Sequence, residues 1–426
     1  MFYNIKYIFI AVYLFLVISC STNTMEGELP IINIDADNWH YIPISLFSDD
    51  IEYIPLETAS GSLIDRIDGI EFSGDLVLVD ANTDCFLYDI TGRLISKIGV
   101  EGRGPGEYRF ITNLRFGKDN DIYIQDLTDM VIYSVDGDFK ERKENILIDE
   151  TYSVGGWHFI NDTLLIAKVN SFLGNEEIKA AVIDINSGDI IRDYANNNKV
   201  NKERASANLL EMNSNIFMFD DELYFKELSD DTLFVMDKEL NMLPVMVFDC
   251  GKYKYPNESR SEAGLFFDEF FKCISVNNLM FTRDYIFIDC YFGKNFPAKR
   301  LTPAATLRSM APSPDYNTTR GIGVYDRRSG EIRFSEPTST DNFLYTSGLY
   351  NDIDGGPRFF PNTVVNDSTM VMWAEATDLK YHIASDDFKN AVVKYPEKKQ
   401  KLLELADSLE ETDNPVLMVI KVKSNK

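Results

Sequence analysis

Histidine is nearly absent: His40, His158 and His382 are the three in 426 residues, and they are scattered. Imidazole chemistry, as metal ligand or as general base, therefore has little to work with. Basic residues are also few, 42 Lys and Arg against 68 Asp and Glu, for a net charge of −26. That balance excludes nucleic acid as a partner, because phosphates need a basic surface. The apolar stretch Tyr7–Leu16 is too short for a comfortable transmembrane span. Among the five cysteines no C-x-x-C pair occurs, and no G-x-S-x-G is present to raise a serine nucleophile. Cys85, Cys273 and Cys290 fall in apolar, strand-like runs, so buried thiols are expected; one disulfide, with Cys250 as a further partner, stays open.

What is present points to a folded chain, with 45% apolar and 13% aromatic residues. Its first twenty residues read as a targeting segment: one lysine at Lys6, an apolar core, then Val17-Ile18-Ser19-Cys20. That tetrapeptide resembles the lipobox of bacterial lipoproteins, which implies that Cys20 is lipidated and becomes the N-terminus. An ordinary secretory signal ending near a cysteine is the plainer alternative. Removing residues 1–20 takes away one lysine and no acid, so the mature charge is −26 − 1 = −27. The expected organisation is a signal peptide over 1–20, a tether over 21–40 and one domain over 41–426.

Within that domain one pattern recurs. Short alternating runs separated by Gly, Asn and Asp turns come in sets of four, as in Ile67–Phe72, Leu76–Asp80, Cys85–Ile90 and Leu94–Gly99. Asp80 to Asp126 marks a period of 46, and five further sets follow. Periods of this length with four strands each predict a β-propeller. The sixth set, Phe359–Val365, Thr369–Trp373 and Val416–Lys421, lacks a fourth strand, while Ile51–Leu56 lacks partners. Pairing them closes the ring and removes a free edge. The expected fold is thus all-β: a six-bladed β-propeller of four-stranded antiparallel blades, closed by N- and C-terminal strands, with short helical insertions on one face.

The stretch Gly102-Arg103-Gly104-Pro105-Gly106-Glu107-Tyr108 and the strands after it resemble an NHL repeat. With Ile54-Pro55-Leu56-Glu57-Thr58, Asp352-Ile353-Asp354-Gly355-Gly356-Pro357 and Asn414-Pro415-Val416-Leu417, the chain resembles the exported six-bladed β-propeller lipoproteins of Gram-negative bacteria, of NHL or TolB-like type. That resemblance implies a place in the cell envelope, anchored through Cys20 to the outer membrane and facing either the periplasm or the surface. It brings no catalytic residues with it, and fold alone does not settle function.

In a meander blade with strands A to D, the A–B and C–D links lie at one end and the B–C and D–A links at the other. Every long or unusual segment here is a B–C or D–A link, so that end is the expected binding surface. Candidate ligand-binding residues there are Arg103, Glu107 and Tyr108 in the glycine loop, Asp352, Asp354 and Arg358 around the second turn, and Lys299, Arg300 and Arg308. The last three belong to Gly293–Arg320, where five basic residues face Asp315 alone. The glycine loop could cradle a phosphate, but it leads into a strand and lacks a phosphate-loop lysine. A rigid turn with Arg103 and Glu107 paired locally, and Tyr108 covering the blade junction, is the blander expectation. Asp352 and Asp354 could offer oxygens to calcium, although capping their own turn explains them as well. Ser259–Lys272 reads as an amphipathic helix, and Lys398–Glu411 as a structural one.

Two functions follow. The first is a non-catalytic, membrane-anchored lipoprotein that binds a glycan, a peptide or an envelope protein, with no cofactor. The second is a calcium-dependent propeller hydrolase or lyase of lactonase type. The lack of a convergent catalytic set favours binding.

Overall fold

In the computed structural model, residues 28–35, 38–146, 154–170, 176–199, 214–228, 230–254, 272–293, 319–336 and 348–423 are described. They form six antiparallel sheets in a ring. Blade 1 is Gly69–Ser73, Leu76–Ala81, Asp84–Asp89 and Leu94–Lys97; blade 2 is Asn113–Phe116, Ile122–Asp126, Asp129–Tyr133 and Phe139–Lys143. Blade 3 is Val154–Phe159, Leu164–Val169, Ile178–Asp184 and Ile190–Ala195; blade 4 is Ser214–Phe219, Glu222–Glu227, Thr232–Met236 and Met242–Asp249. Blade 5 is Ser275–Phe281, Tyr285–Gly293, Thr319–Asp326 and Ile332–Ser335.

Blade 6 takes Thr363–Val365, Thr369–Ala374 and Val416–Lys421 from the C-terminal part, and its outer strand is Glu52–Pro55. The expected closure is therefore present, antiparallel with Leu417 opposite Ile54. Asn414 locks it. Its buried side chain accepts from Ile64 N and donates to the carbonyls of Glu57 and Ser62, while its own N–H donates to Thr58 Oγ1. Two of the motifs that carry the family resemblance thus meet in space and serve closure.

The middle strands are buried on both faces because each blade is sandwiched between neighbours, which is why Leu76–Ala81 and Asp84–Asp89 read as nearly continuous apolar runs. The core is correspondingly divided between blades: Leu78, Cys85, Leu87, Ile98 and Tyr108 pack against Ile122, Ile124, Val131 and Tyr133 of the next blade. Cys85, Cys250, Cys273 and Cys290 are buried thiols that form no disulfide among the described residues.

The chain before blade 1 differs from the expected tether. Ile31–Asn33 adds a parallel fifth strand to the outer edge of blade 4, and Trp39–His40 does the same on blade 5. Pro43 then bridges to Tyr350 before the closing strand begins. Ile32, Ile34, Ile42 and Ile44 are buried by this belt, so the apolar residues of the segment drive it onto sheet edges that would otherwise stay unpaired. Helices α1 (Ala376–Ala384), α2 (Asp386–Asn390) and α3 (Pro396–Ser408) form the B–C insertion of blade 6. Leu379, Ile383, Phe388, Leu402 and Ala406 pack together and against Tyr53 of the outer strand, which makes α3 structural, as expected. Among the described residues no helix is long and apolar enough to cross a membrane.

Candidate functional site

The glycine loop joins blade 1 to blade 2 and is held from all sides. Gly102 N donates to Tyr108 O, Tyr108 N to Val100 O, and Glu107 N to Gly104 O. Gly99 has φ of +63°, and a Cβ there would lie 2.5 Å from Tyr133 Oη. At Gly102 a Cβ would lie 1.9 Å from the Glu107 carboxylate. The left-handed backbone reserves position 99 for glycine, whereas a side chain at position 102 would have to displace the Glu107 carboxylate. Glu107 closes the loop by accepting from Gly104 N at 2.7 Å, so it binds the backbone where a pair with Arg103 was expected. Tyr108 is fully buried at the junction of blades 1 and 2, with its hydroxyl on Ile98 O, and has no face for a ligand. Tyr133 Oη donates to Gly106 O from the far side.

Beside this loop lies a pocket of about 420 Å³ lined by Gly102, Arg103, Arg109, Asp126, Asp129, Arg142 and Glu144. Asp126 is wholly buried at the end of a blade 2 strand. It accepts from Arg109 Nε at 3.2 Å on both oxygens and from Arg142 Nη1 at 3.1 Å. Asp129 takes Arg142 Nη1 at 2.7 Å and sits 3.6 Å from Arg109 Nη2. Arg142 also donates to Glu107 O, tying the loop to the ion-pair floor. Two guanidinium groups and two carboxylates thus neutralise one another. Arg103 and Glu144 are exposed and take part in none of these contacts. Sequence reading singled out Arg103 but missed Arg109, Asp126, Asp129, Arg142 and Glu144, which lie on a loop and at three strand ends; the arginine inside Phe-Lys-Glu-Arg-Lys was their one visible signal.

The second turn is different. Asp352 accepts from Ser45 N at 3.0 Å and Ser45 Oγ at 2.5 Å, with Lys394 Nζ 3.7 Å away. Asp354 is buried and accepts from Tyr53 Oη at 3.1 Å and Gly356 N at 2.9 Å; burial raises its carboxyl above the ordinary range. Their oxygens address different partners, the belt for one and the closing strand for the other. Arg358 lies over the Tyr350 ring at 3.5 Å and donates to Glu336 O. No three His, Cys, Asp or Glu are placed to hold a metal ion among the described residues. Cys20, Lys299, Arg300, Arg308 and the Ser259–Lys272 helix lie outside the described residues, except for Lys272 itself; Arg320, at the end of the basic island, pairs with Asp289 at 2.6 Å.

A polar cluster spans the inner strands of blades 1 to 3. Arg115 Nη1 donates to Glu71 Oε2 at 3.1 Å, joining the inner strands of blades 1 and 2. Near it His158 is pushed down to about 4 by burial first and by Arg115 second, so it is neutral at physiological pH. Trp157 is buried in the core between blades 2 and 3. His382 is bound to Gly355 O in the helical insertion.

Six blades, a terminal closure and these motifs agree with a match to the family described as "Domain of unknown function (DUF4934)", which spans residues 29–421. The chain belongs to the DUF4934 family. A crystal structure of a protein from Bacteroides fragilis, described as exported, is similar to this DUF4934 chain with a TM-score of 0.67 at 16% identity, covering 93% of this chain and 99% of the other. A DUF4221 family member from Bacteroides vulgatus has a TM-score of 0.52 at 11% identity, covering 89% and 98%. At such identities the likeness is one of fold. A streptogramin B lyase is more distant, with a TM-score of 0.38 at 13% identity over 69% and 89% of the two chains, too loose to argue chemistry. No curated protein matches the sequence.

Proposed function

We propose that this DUF4934 chain is an exported, lipid-anchored binding protein that engages a glycan, a peptide or an envelope protein through the B–C and D–A end of its propeller. The observation that carries this reading is the pocket beside the glycine loop: its shape is fixed by backbone bonds and an ion-pair floor, and two charged side chains at it are unengaged. Such a site is prepared to bind, because the cost of ordering it is met within the fold. Its lining holds no nucleophile beside a base, so binding without turnover is the simplest chemistry it supports. The belt begins at the outer edge of blade 4, and an anchor on Cys20 would accordingly hold the ring by its rim and leave the pocket end accessible.

A thermal-shift screen of the mature chain against acidic and neutral glycans, short peptides, calcium and EDTA tests this. A ligand of the folded state at ~100 times its dissociation constant stabilises by about 2.7 kcal/mol. A glycan or peptide shift that Arg103→Ala removes supports the reading. A calcium shift reversed by EDTA, insensitive to Arg103 and abolished by Asp352→Asn, would replace it with the lactonase-like alternative.

A further inference from the structure

We propose that the pocket between the glycine loop and the end of blade 2 binds a small zwitterion, a molecule of amino-acid to dipeptide size carrying one ammonium and one carboxylate. This rests on the binding reading above and narrows it. Three guanidinium groups and three carboxylates line the pocket, Arg103, Arg109 and Arg142 against Asp126, Asp129 and Glu144. Four of these six are joined in one network at 2.7 to 3.6 Å. What is left is one positive group, Arg103, on the loop, and one negative group, Glu144, just beyond the outer strand of blade 2.

Neither residue is needed to hold the structure around it. The loop is shaped by Glu107, Tyr108, Tyr133 and Arg142, so a glycine turn of this form has no use for an arginine at its exposed tip. A simple anion would meet Glu144 as well as Arg103, and a simple cation the reverse. A ligand with both charges satisfies both, and it does so against a lining of zero net charge. A volume of about 420 Å³ falls at the small end of ligand pockets, which run from ~300 to ~1,000 Å³.

The test is isothermal titration of the mature chain with alanine, alanyl-alanine, N-acetylalanine, alanine amide and inorganic phosphate. Free alanine or alanyl-alanine should bind, and blocking either charged end should weaken binding roughly tenfold or more, as expected for the loss of one charge-assisted hydrogen bond. Arg103→Ala should erase the advantage of a free carboxylate and Glu144→Gln that of a free amine, with melting temperatures unchanged because both side chains are exposed. Equal binding of the blocked forms, tighter binding of phosphate, or no binding of either zwitterion at millimolar concentration overturns the proposal. If acidic glycans then bind in an Arg103-dependent way, the broader binding function stands without it.

Discussion

Two turns of this propeller are alike in composition and opposite in use. Gly99–Tyr108 and Asn351–Arg358 are both rich in glycine, both contain a proline, and both carry acids and an arginine. In the second, every charged side chain is engaged: Asp352 with the belt, Asp354 with Tyr53 and its own turn, Arg358 with Tyr350 and nearby carbonyls. In the first, Glu107 is the one charged side chain of the turn that helps to hold it, while Glu101 and Arg103 are exposed and make no ion pair among the described residues. An engaged charge stabilises; an unengaged one beside a preformed pocket is available to a ligand. The contrast arises from what surrounds each turn: the belt and closing strand supply partners at one, and among the described residues a fellow blade supplies them at the other.

Substitutions can break or sharpen this contrast. The largest effect is expected for Arg142→Ala, which leaves the wholly buried Asp126 with Arg109 alone and frees the loop; a loss of about 3–4 kcal/mol in urea unfolding is expected, with ligand binding lost too. Asp354→Ala should cost about 2–3 kcal/mol by leaving the Tyr53 hydroxyl proton and Gly356 N without an acceptor, with no effect on binding at the first turn. A loss of binding in that variant would show that the two turns are coupled.

A pH series separates burial from hydrogen bonding at Asp354. Its carboxyl is raised by burial, so the stability it contributes is fully present below the unfolded carboxylate range near ~4 and is lost as pH rises through the raised value. Asp354→Asn, which does not titrate, should therefore gain on the wild type in melting temperature between pH 4 and pH 8; a constant difference would show that the group is not raised. The smallest effect belongs to Arg103→Ala, within about 0.5 kcal/mol of the wild type in stability, as for surface positions generally. A substantial destabilisation there would mean that Arg103 supports the first turn in the way Asp352 and Asp354 support the second.

Much of the fold was legible because blades repeat. Alternation within strands and Gly, Asn and Asp between them survive in all six sets, and Ile54–Thr58 with Asn414–Leu417 marked the closure. The belt was not legible, because strands of three and two residues in parallel pairing carry no alternating pattern of their own. Of the pocket, the sequence exposed the glycine loop and Arg103. Asp126, Asp129 and Arg142 read as ordinary strand ends, and nothing local says that a buried aspartate will draw two arginines 17 and 16 residues away.

By itself, then, the sequence determined the architecture of this DUF4934 protein, because strand periodicity and turn chemistry are local properties repeated often enough to be unmistakable. Tertiary structure alone decided which charges are neutralised and which remain. Ion pairing depends on distances between segments far apart in the chain, and those distances exist only once the blades have closed into a ring.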